Sequence, residues 1–368
     1  MLVQRVLSPA SSLESWTVLG ADDLPVAAIE RYLAYLTDIE RSPNTVKAYA
    51  HDLKDYFTFL DGCGLDWREV RLEDIGEFVA WLRLPPAGRD GRAAILPSVE
   101  HHVSASTVNR KLSALSAFYL HAARNGMDLD ELLITWGPAG RRGGWKPFLH
   151  HISKGQPAAR RTIALKVSRK LPRILTAGEV QAILDACGRL RDRLLLAVLY
   201  DTGMRIGEAL GLRHEDIAAA EREVTVFPRH NANGARTKSA NPRTIPVSAE
   251  LVRLYADYLH EEYGDLDSDY VFVNLWGRPH GRPLAYPAVY DLVCRLRRQT
   301  GIDFGPHWYR HTAATRLLRD GVPVEVVSAV LGHASITTTL EVYGHLTSED
   351  ARQVLEAAGW FTGRQVSW

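Results

Sequence analysis

The sequence has few cysteines and no long hydrophobic run. Its 3 cysteines, Cys63, Cys187 and Cys294, lie far apart and form no C-x-x-C pair, so neither a disulfide framework nor a zinc module is indicated. No apolar stretch approaches the roughly 18 residues that a membrane-spanning helix needs, and the N-terminal segment lacks the long apolar core of a signal peptide. We therefore expect a protein of a reducing compartment, the cytoplasm, without a membrane partner.

An excess of charge of one sign is also missing. The chain has 44 Lys and Arg residues against 43 Asp and Glu, which leaves a formal net charge of +1. Any contact with nucleic acid must therefore come from local patches, because the chain as a whole provides no basic field. The 368 residues, of which 46% are hydrophobic and 24% charged, suffice for two packed domains and are too mixed in composition for a disordered chain.

The first predicted domain covers residues 22–126 and consists of four helices. Apolar residues recur at helical spacing in each of them, and only a short segment precedes the first, so we expect no additional small N-terminal domain. Lys47 and Lys54 lie off the apolar stripe of the second helix, and Arg110 and Lys111 belong to the fourth. A solvated helix surface is the ordinary explanation of these four cations, and contact with phosphate groups is the alternative.

The most basic part of the chain is a predicted linker, residues 127–173. Between Gly137 and Arg173 there is no Asp or Glu. Because this segment is also rich in glycine and proline, we expect an extended connector that can follow a phosphate backbone, although a merely solvated linker is the alternative. Its candidate phosphate ligands are Arg141, Arg142, Arg160, Arg161, Arg169 and Lys170.

The second predicted domain covers residues 174–360 and is rich in helices. Thr176 and Glu179 form a capping-box pattern at its start. Residues 223–247 instead alternate on both sides of Asn- and Gly-rich turns, which predicts a small antiparallel sheet with Lys238 at its tip or edge. The predicted fold class is therefore mainly α, with a four-helix N-terminal domain and an α-rich domain that contains a small antiparallel β-sheet.

Three segments of the second domain concentrate chemically active side chains without the pattern that a core needs. TGMRIGEALGL contains Arg205, PHWYRHTAAT contains His307 and Arg310, and LGHASITTTLEVYGHL contains His333 and Tyr343. Taken singly, these residues have ordinary explanations, such as an ion pair on a helix surface, a turn histidine or a core tyrosine. Only their combination suggests a site.

Two alternatives to such a site rest on metal ions. His307 and His311 are spaced i,i+4 as metal ligands can be, but no third ligand follows at motif spacing and no H-E-x-x-H occurs. Glu208 and Asp216 could belong to a carboxylate site like that of metal-dependent transposases, although we expect them to position Arg205 and its helix. No metal site and no cofactor are predicted.

The chain resembles the tyrosine recombinase (phage-integrase) family in the order of its site residues, Arg205, Lys238, His307-x-x-Arg310, His333 and Tyr343. The three segments are also close to the sequence motifs of that family. The segments SPNTVKAYAHDLKDYFTFL and STVNRKLSALSAFY resemble the core-binding, SAM-like helical domain of the same family. The resemblance extends from about residue 22 to about residue 350. It implies two domains that clamp DNA, and DNA cleavage and rejoining without a metal ion or ATP.

The resemblance also implies a role for each residue of the set. Tyr343 is the nucleophile, Arg205 and Arg310 hold the scissile phosphate, His307 and His333 assist, and Lys238 is the general acid. Phosphodiester chemistry asks for these residue types independently, because charge develops on the non-bridging oxygens and a planar guanidinium binds phosphate with two N–H groups. Lys238 is the only lysine after Lys170, and Tyr343 is the only tyrosine after Tyr309, so neither has a local rival.

The partners implied by the resemblance are double-stranded DNA with short inverted-repeat core sites and further copies of the chain. The C-terminal segment SEDARQVLEAAGW is expected to dock on a neighbouring protomer in a DNA-bound tetramer, while capping its own domain is the alternative. Accessory DNA-binding proteins are left open. The expected role is integration, excision or transposition of a mobile element. A chromosome-dimer resolvase of the same family, a type IB topoisomerase and a catalytically silent DNA-binding accessory protein are the alternatives.

Overall fold

The computed structural model describes residues 1–7, 14–89, 101–127, 134–138, 157–167, 173–238 and 241–333. The chain divides into two compact units, Met1–Arg169 and Lys170–Trp368. Both are mainly helical, and the described strands form small antiparallel sheets. The predicted fold class is therefore confirmed. No helix within the described ranges is long and apolar enough to cross a membrane.

Unit 1 is built on four helices that share one aromatic core. The second of them follows Ser42, has Pro43 in its first turn and ends at Gly64, whose φ of 67° suits glycine. In the core, Tyr56 packs edge-on against Phe78 with ring centroids 5.1 Å apart. The helices are α1 (Ala27–Asp38), α2 (Pro43–Cys63), α3 (Leu72–Arg83) and α4 (Ala105–Arg124), with a short 3-10 turn (Pro86–Gly88) between α3 and α4.

A strand pair precedes α1, and the sequence patterns did not predict it. Strands β1 (Leu2–Leu7) and β2 (Glu14–Leu19) are antiparallel, with Leu2 opposite Leu19 and Leu7 opposite Glu14. Val18 is fully buried in the core of unit 1. The hydroxyl of Thr17 donates to the carboxylate of Glu30 on α1. The hairpin is therefore part of this unit and anchors its first helix.

Part of the basic segment is also paired. Strands β3 (Ile134–Pro138) and β4 (Pro157–Arg161) form an antiparallel ladder in which Arg160 lies opposite Thr135. Further along, Asn109 of α4 exchanges two 2.8 Å hydrogen bonds with the backbone of Leu165. The extended connector expected from composition thus includes paired strands and a segment fastened to α4.

Unit 2 surrounds the buried helix α6. Leu195 and Leu199 of this helix are fully buried, and Thr176 and Glu179 form the expected capping box ahead of α5. The three-stranded sheet has the order β5-β6-β7. Its elements are α5 (Ala177–Asp185), α6 (Leu190–Thr202), α7 (Ile206–Ala209), a 3-10 turn (His214–Asp216), β5 (Ile217–Ala218), β6 (Glu223–Val226), β7 (Arg243–Pro246), α8 (Ala249–Tyr258) with a π-helical turn (Leu259–Tyr263), α9 (Tyr286–Thr300), α10 (Pro306–Arg319) and α11 (Val324–Leu331).

Candidate active site

Arg205 lies where the chain turns from α6 into α7. Gly203 ends α6 with a φ of 62°, and Arg205 is the residue that immediately precedes α7. The backbone N–H of Arg205 donates to Glu208 Oε2 at 2.8 Å, and its Nη1 donates to Oε1 of the same carboxylate at 3.0 Å. Both terminal nitrogens also lie 3.4 Å from the carbonyl oxygen of Gly332. The i,i+3 pair with Glu208 is therefore present, and it orients the arginine within the site.

The carboxylate of Glu208 is shared between two arginines. Its side chain has no exposed surface, and Arg243 Nη2 donates to its Oε2 at 2.6 Å. Burial alone would raise the pKa of Glu208, but the hydrogen bond and charge of Arg243, together with the backbone N–H and charge of Arg205, hold it below its usual range. Glu208 is therefore ionised at neutral pH and acts as the anionic centre of the site.

Helix α10 contributes Arg310 and two histidines. Arg310 is 2% exposed, and it donates from Nη1 to the carbonyl of Gly203 at 3.0 Å and from Nη2 to that of Leu331 at 2.7 Å. The rings of His307 and His311 meet edge to face with centroids 4.6 Å apart. The i,i+4 spacing thus places the two imidazoles side by side on α10.

His333 follows the end of α11. Gly332 takes a φ of 64°, and the backbone N–H of His333 donates to Ser328 O at 3.0 Å. The pKa of His333 is lowered to about 4, first by burial and then by Arg310, Arg205, Arg243 and His307. This imidazole is therefore neutral at pH 7.

The pKa of His307 is lowered for related reasons, although the residue is exposed. Burial lowers its pKa most, followed by the charges of Arg310, Arg205 and Lys238. The two imidazoles therefore lie in the field of the cations that the sequence assigned to the same site. Neutral imidazoles can accept a proton, and the cations can bind an anion.

Lys238 lies in the loop between β6 and β7 and is exposed. This loop is anchored by Asn233, whose Nδ2 donates to the carbonyls of Leu210 at 2.9 Å and Leu284 at 2.8 Å. Gly207 of α7 lies under the loop, because a Cβ there would come within 2.8 Å of the carbonyl oxygen of Arg236. These contacts hold the loop near Arg205.

Several predicted residues lie outside the described part of the chain. Tyr343 is one of them. Of the basic linker, Arg160 and Arg161 belong to β4, where only the backbone is described. The others outside the described ranges are Arg141, Arg142, Arg169 and Lys170.

The four cations predicted for the first domain differ in their surroundings. Lys47 is exposed, with its ammonium 4.6 Å from the centre of the Trp16 ring. Lys54 Nζ is 2.9 Å from Asp55 Oδ1. Arg110 keeps half of its side-chain surface exposed while it forms a bidentate pair with Asp52.

The structure contradicts the expectation that Lys111 contacts a phosphate group. It is 7% exposed, and its Nζ lies 3.0 Å from Asp52 Oδ1 and 2.7 Å from Asp55 Oδ2. A phosphate contact would break this buried ion-pair network and leave Asp52, which is fully buried, with one cation fewer. The sequence alone left Lys111 as a surface cation of the fourth helix, but two acids of α2 pair with it inside the protein.

Arg243 is a residue of the site that none of the sequence motifs indicated. It binds Glu208 and also donates from Nε to the carbonyl oxygen of Val330 at 2.9 Å. A signal was present in the alternation of β7, because Arg243 shares the inward face of the strand with the buried Ile245. An inward-facing arginine in a strand needs a buried anion as its partner.

Within the described ranges, no group of three or more His, Cys, Asp or Glu residues could hold a metal ion. The site instead combines fixed guanidinium groups with neutral imidazoles. Such a cationic cluster suits an enzyme that acts on a phosphate ester, because it can bind the phosphate and accept a proton from the attacking group.

Comparisons with known proteins agree with this class. The chain matches the model of the phage integrase family over residues 173–350 and that of the phage integrase N-terminal SAM-like domain over residues 29–126. Transposase A from transposon Tn554 of Staphylococcus aureus is 37% identical over 354 residues, which is 96% of each chain. Tyrosine recombinase XerD of Mycobacterium tuberculosis is 31% identical over 348 residues, covering 90% of this chain and 96% of the relative.

Among solved structures, the Tn1549 transposon integrase in complex with a circular intermediate DNA has a TM-score of 0.60 at 18% identity. The match covers 90% of this chain and 99% of that one, and it shows the same fold. This chain belongs to the phage integrase family, whose members are the tyrosine recombinases. It is an enzyme that breaks and rejoins strands of DNA.

Proposed function

We propose that this recombinase moves a transposon or a related mobile element by cleaving and rejoining DNA through Tyr343. The observation that carries the proposal is the gathering of Arg205, Arg310, His307 and His333, from separate segments, into one cationic cluster. The 37% identity to a transposase over nearly the whole chain supports the biological role. Chromosome-dimer resolution is the second candidate, since XerD is 31% identical.

In the proposed first step, the hydroxyl oxygen of Tyr343 attacks the scissile phosphorus. A 3′-phosphotyrosyl bond forms, the bond to the 5′ oxygen breaks, and that oxygen leaves as a hydroxyl with a proton from Lys238. His307 or His333 accepts the tyrosine proton, because both imidazoles are neutral at pH 7. A 5′-hydroxyl of another strand reverses the step, and ligation needs no ATP since the phosphoester bond is conserved.

Arg205 and Arg310 would bind the non-bridging oxygens of the phosphate. Both guanidinium groups are already held by protein groups, Arg205 by Glu208 and Arg310 by the carbonyls of Gly203 and Leu331. Donors fixed before the reaction stabilise developing charge without a cost of reorganisation at the moment of attack. This preorganisation replaces the role that a metal ion has in other phosphoryl-transfer enzymes.

The DNA would be held by the basic residues of both domains. The proposed organisation is a core-binding domain at 22–126, a basic linker at 127–173 and a catalytic domain at 174–360. The partner DNA carries short inverted-repeat core sites, and four protomers assemble on it in the cytoplasm through the C-terminal segment, with or without accessory proteins. Lys47, Lys54 and Arg110 contact phosphates from the first domain, together with the cations of the linker.

The test is covalent trapping on DNA from the flanks of the element that carries the gene. A nicked duplex in EDTA should give a denaturant-resistant protein–DNA adduct with the wild-type chain and none with Tyr343→Phe, while both proteins bind the duplex equally in a gel-shift assay. An adduct with Tyr343→Phe would contradict the assignment of the nucleophile. Binding without any adduct would favour a silent DNA-binding protein.

The biological role needs a second substrate. A plasmid that carries the element between its flanks should yield an excised circle. A plasmid dimer with two chromosomal resolution sites should stay a dimer. Conversion of the dimer to monomers without excision of the element would favour the resolvase, and plasmid relaxation without strand exchange would indicate a topoisomerase.

A further inference from the structure

Arg243 joins three elements of unit 2. It is the first residue of β7, and its Nη2 donates to Glu208 Oε2 on α7 at 2.6 Å. Its Nη1 lies 3.3 Å from Oε1 of the same carboxylate. Its Nε donates to the carbonyl oxygen of Val330 at 2.9 Å, near the end of α11. One planar side chain thus connects β7, α7 and α11.

The guanidinium also fits closely against Gly332. A Cβ on Gly332 would lie 2.8 Å from Arg243 Nη1 and 2.9 Å from its Cζ. Gly332 has a φ of 64°, which a residue with a side chain adopts only with strain. The chain therefore passes over the guanidinium immediately before it reaches His333.

The residues that Arg243 contacts are neighbours of the catalytic candidates Arg205 and His333. Glu208 holds Arg205 through the carboxylate that Arg243 also binds, and Gly332 precedes His333. Lys238 lies in the loop that leads into β7. Arg243 itself points into the protein, with 11% of its side chain exposed.

We propose that Arg243 is a positioning residue for strand cleavage, which fixes Arg205 and His333 relative to each other. It acts through the carboxylate of Glu208 on one side and through Val330 O and Gly332 on the other. This proposal rests on the proposed function of the site. Its physical basis is that a guanidinium offers five donors in a fixed plane, whereas an ammonium is a point charge that cannot hold both groups in the same geometry.

The charge of Arg243 acts on His333 as well. The groups that face this imidazole are Arg205 at the start of α7, Arg243 on β7, and Arg310 and His307 on α10, and all four lower its pKa beyond the effect of burial. Removing the charge of Arg243 therefore raises the pKa of His333 toward its ordinary value of about 6.5. Geometry and charge can be separated by substitution.

The experiment compares Arg243→Met, Arg243→Lys and a control, Arg253→Met. Arg253 pairs with Glu250 on an exposed helix face, where the two side chains are 71% and 75% exposed. We expect Arg243→Met to slow single-turnover cleavage of saturating nicked DNA by about 100-fold, the effect of misplacing reacting groups by roughly 1 Å. DNA affinity should stay unchanged, and the control should cleave like the wild type.

Two further measurements separate positioning from structural damage. A 5′-phosphorothiolate substrate, whose leaving group needs no proton, should restore cleavage by Lys238→Ala but not by Arg243→Met. NMR titration of His333 in the DNA-free protein should show a raised pKa in Arg243→Met and an unchanged pKa in Arg243→Lys, although the lysine variant still cleaves slowly. That combination supports a role for the geometry of the guanidinium beyond its charge.

Wild-type cleavage by Arg243→Met, or its full rescue by the phosphorothiolate, would overturn the proposal. If Arg243→Met does not fold, Arg243→Lys becomes the test variant. A folded Arg243→Lys protein that cleaves at the wild-type rate would also overturn the proposal. If the wild-type chain itself forms no adduct, the proposed function fails. In that case the titration still tests Arg243 on its own, because an unchanged pKa of His333 in Arg243→Met would contradict the proposed effect of Arg243 on His333.

Discussion

Arg310 Nη2 donates a 2.7 Å hydrogen bond to the carbonyl oxygen of Leu331, the last residue of α11. The other terminal nitrogen, Nη1, binds the carbonyl of Gly203 at the end of α6. Carbonyls at helix C-termini have no partner within their own helix, so the arginine satisfies two of them at once. A residue that the sequence assigns to phosphate binding therefore also fixes the ends of two helices around the site.

The close packing at Gly203 leads to a stability prediction. A Cβ there would lie 2.7 Å from Leu331 Cδ2 and 3.0 Å from the Cβ of Ala313, at a φ of 62°. Gly301 has a similar φ of 69° with nothing within 4 Å of the added Cβ, which makes Gly301→Ala a matched control. We expect the control to lower the free energy of unfolding by about 1 kcal/mol from the left-handed backbone alone. Gly203→Ala should cost about 3 kcal/mol, because overpacking is added.

Urea unfolding of both variants measures this difference. Gly203→Ala should also reduce cleavage, since a shift of the Gly203 carbonyl or of Leu331 moves Arg310. Equal losses of stability in the two alanine variants would contradict the structural argument.

Lys238→Ala is predicted to slow cleavage by about 10² to 10⁴-fold, the usual contribution of a general acid. A substrate with a 5′-bridging sulfur should restore the rate, because a thiolate leaves without protonation at neutral pH. Arg236→Ala, which removes another cation from the same loop, is the control. The 5′-bridging sulfur should not increase its cleavage rate in the way expected for Lys238→Ala. The measurement is the cleavage rate on the ordinary substrate and on the substrate with the 5′-bridging sulfur. If Lys238→Ala cleaves both at the same slow rate, Lys238 is not the general acid.

The histidines of the site predict how stability depends on pH. The pKa of His311 is lowered to about 4, by burial and then by His307 and Arg310, and that of His333 is also about 4. Their pKa in the unfolded chain is about 6.5. Between these values the unfolded state binds more protons than the folded state, so the free energy of unfolding falls as the pH is lowered from about 6.5 to about 4.

Denaturant unfolding at a series of pH values tests this dependence. His311→Gln should make the profile flatter across this window, because it removes one of the two imidazoles that take up a proton on unfolding. A profile that His311→Gln does not alter would mean that this imidazole is not held neutral by folding.

The different surroundings of Lys47 and Lys111 predict different effects of removing each charge. Lys47 is exposed, so Lys47→Met should lower the salt dependence of DNA binding by about one counterion. Lys111→Met should leave that slope unchanged and should cost about 3 kcal/mol of stability, because it removes one partner from a buried ion-pair network. Salt titration of DNA affinity and urea unfolding measure the two effects. The reverse pattern would restore Lys111 as a DNA ligand.

Local patterns predicted the helices of this protein well. The apolar stripe of the second predicted helix corresponds to α2, and Thr176 and Glu179 form their capping box in the structure. The β1–β2 hairpin was not predicted. Its exposed strand, β1, lacks a clear alternation of buried and exposed residues, and the ladder with β2 defines it. Pairing depends on the partner strand as well as on the strand itself, so the periodicity of one strand alone detects it poorly.

The amino-acid sequence by itself determined which kinds of side chain are available for chemistry, and their order identified Arg205, His307, Arg310 and His333 as candidates. Only the tertiary structure decided which charges face one another. Asp52 and Asp55 draw Lys111 inward, and Glu208 is shared by two arginines, one of which no motif had singled out. The physical reason is that helical and strand periodicity fixes the face of an element, whereas the partner of a buried charge depends on which elements pack together.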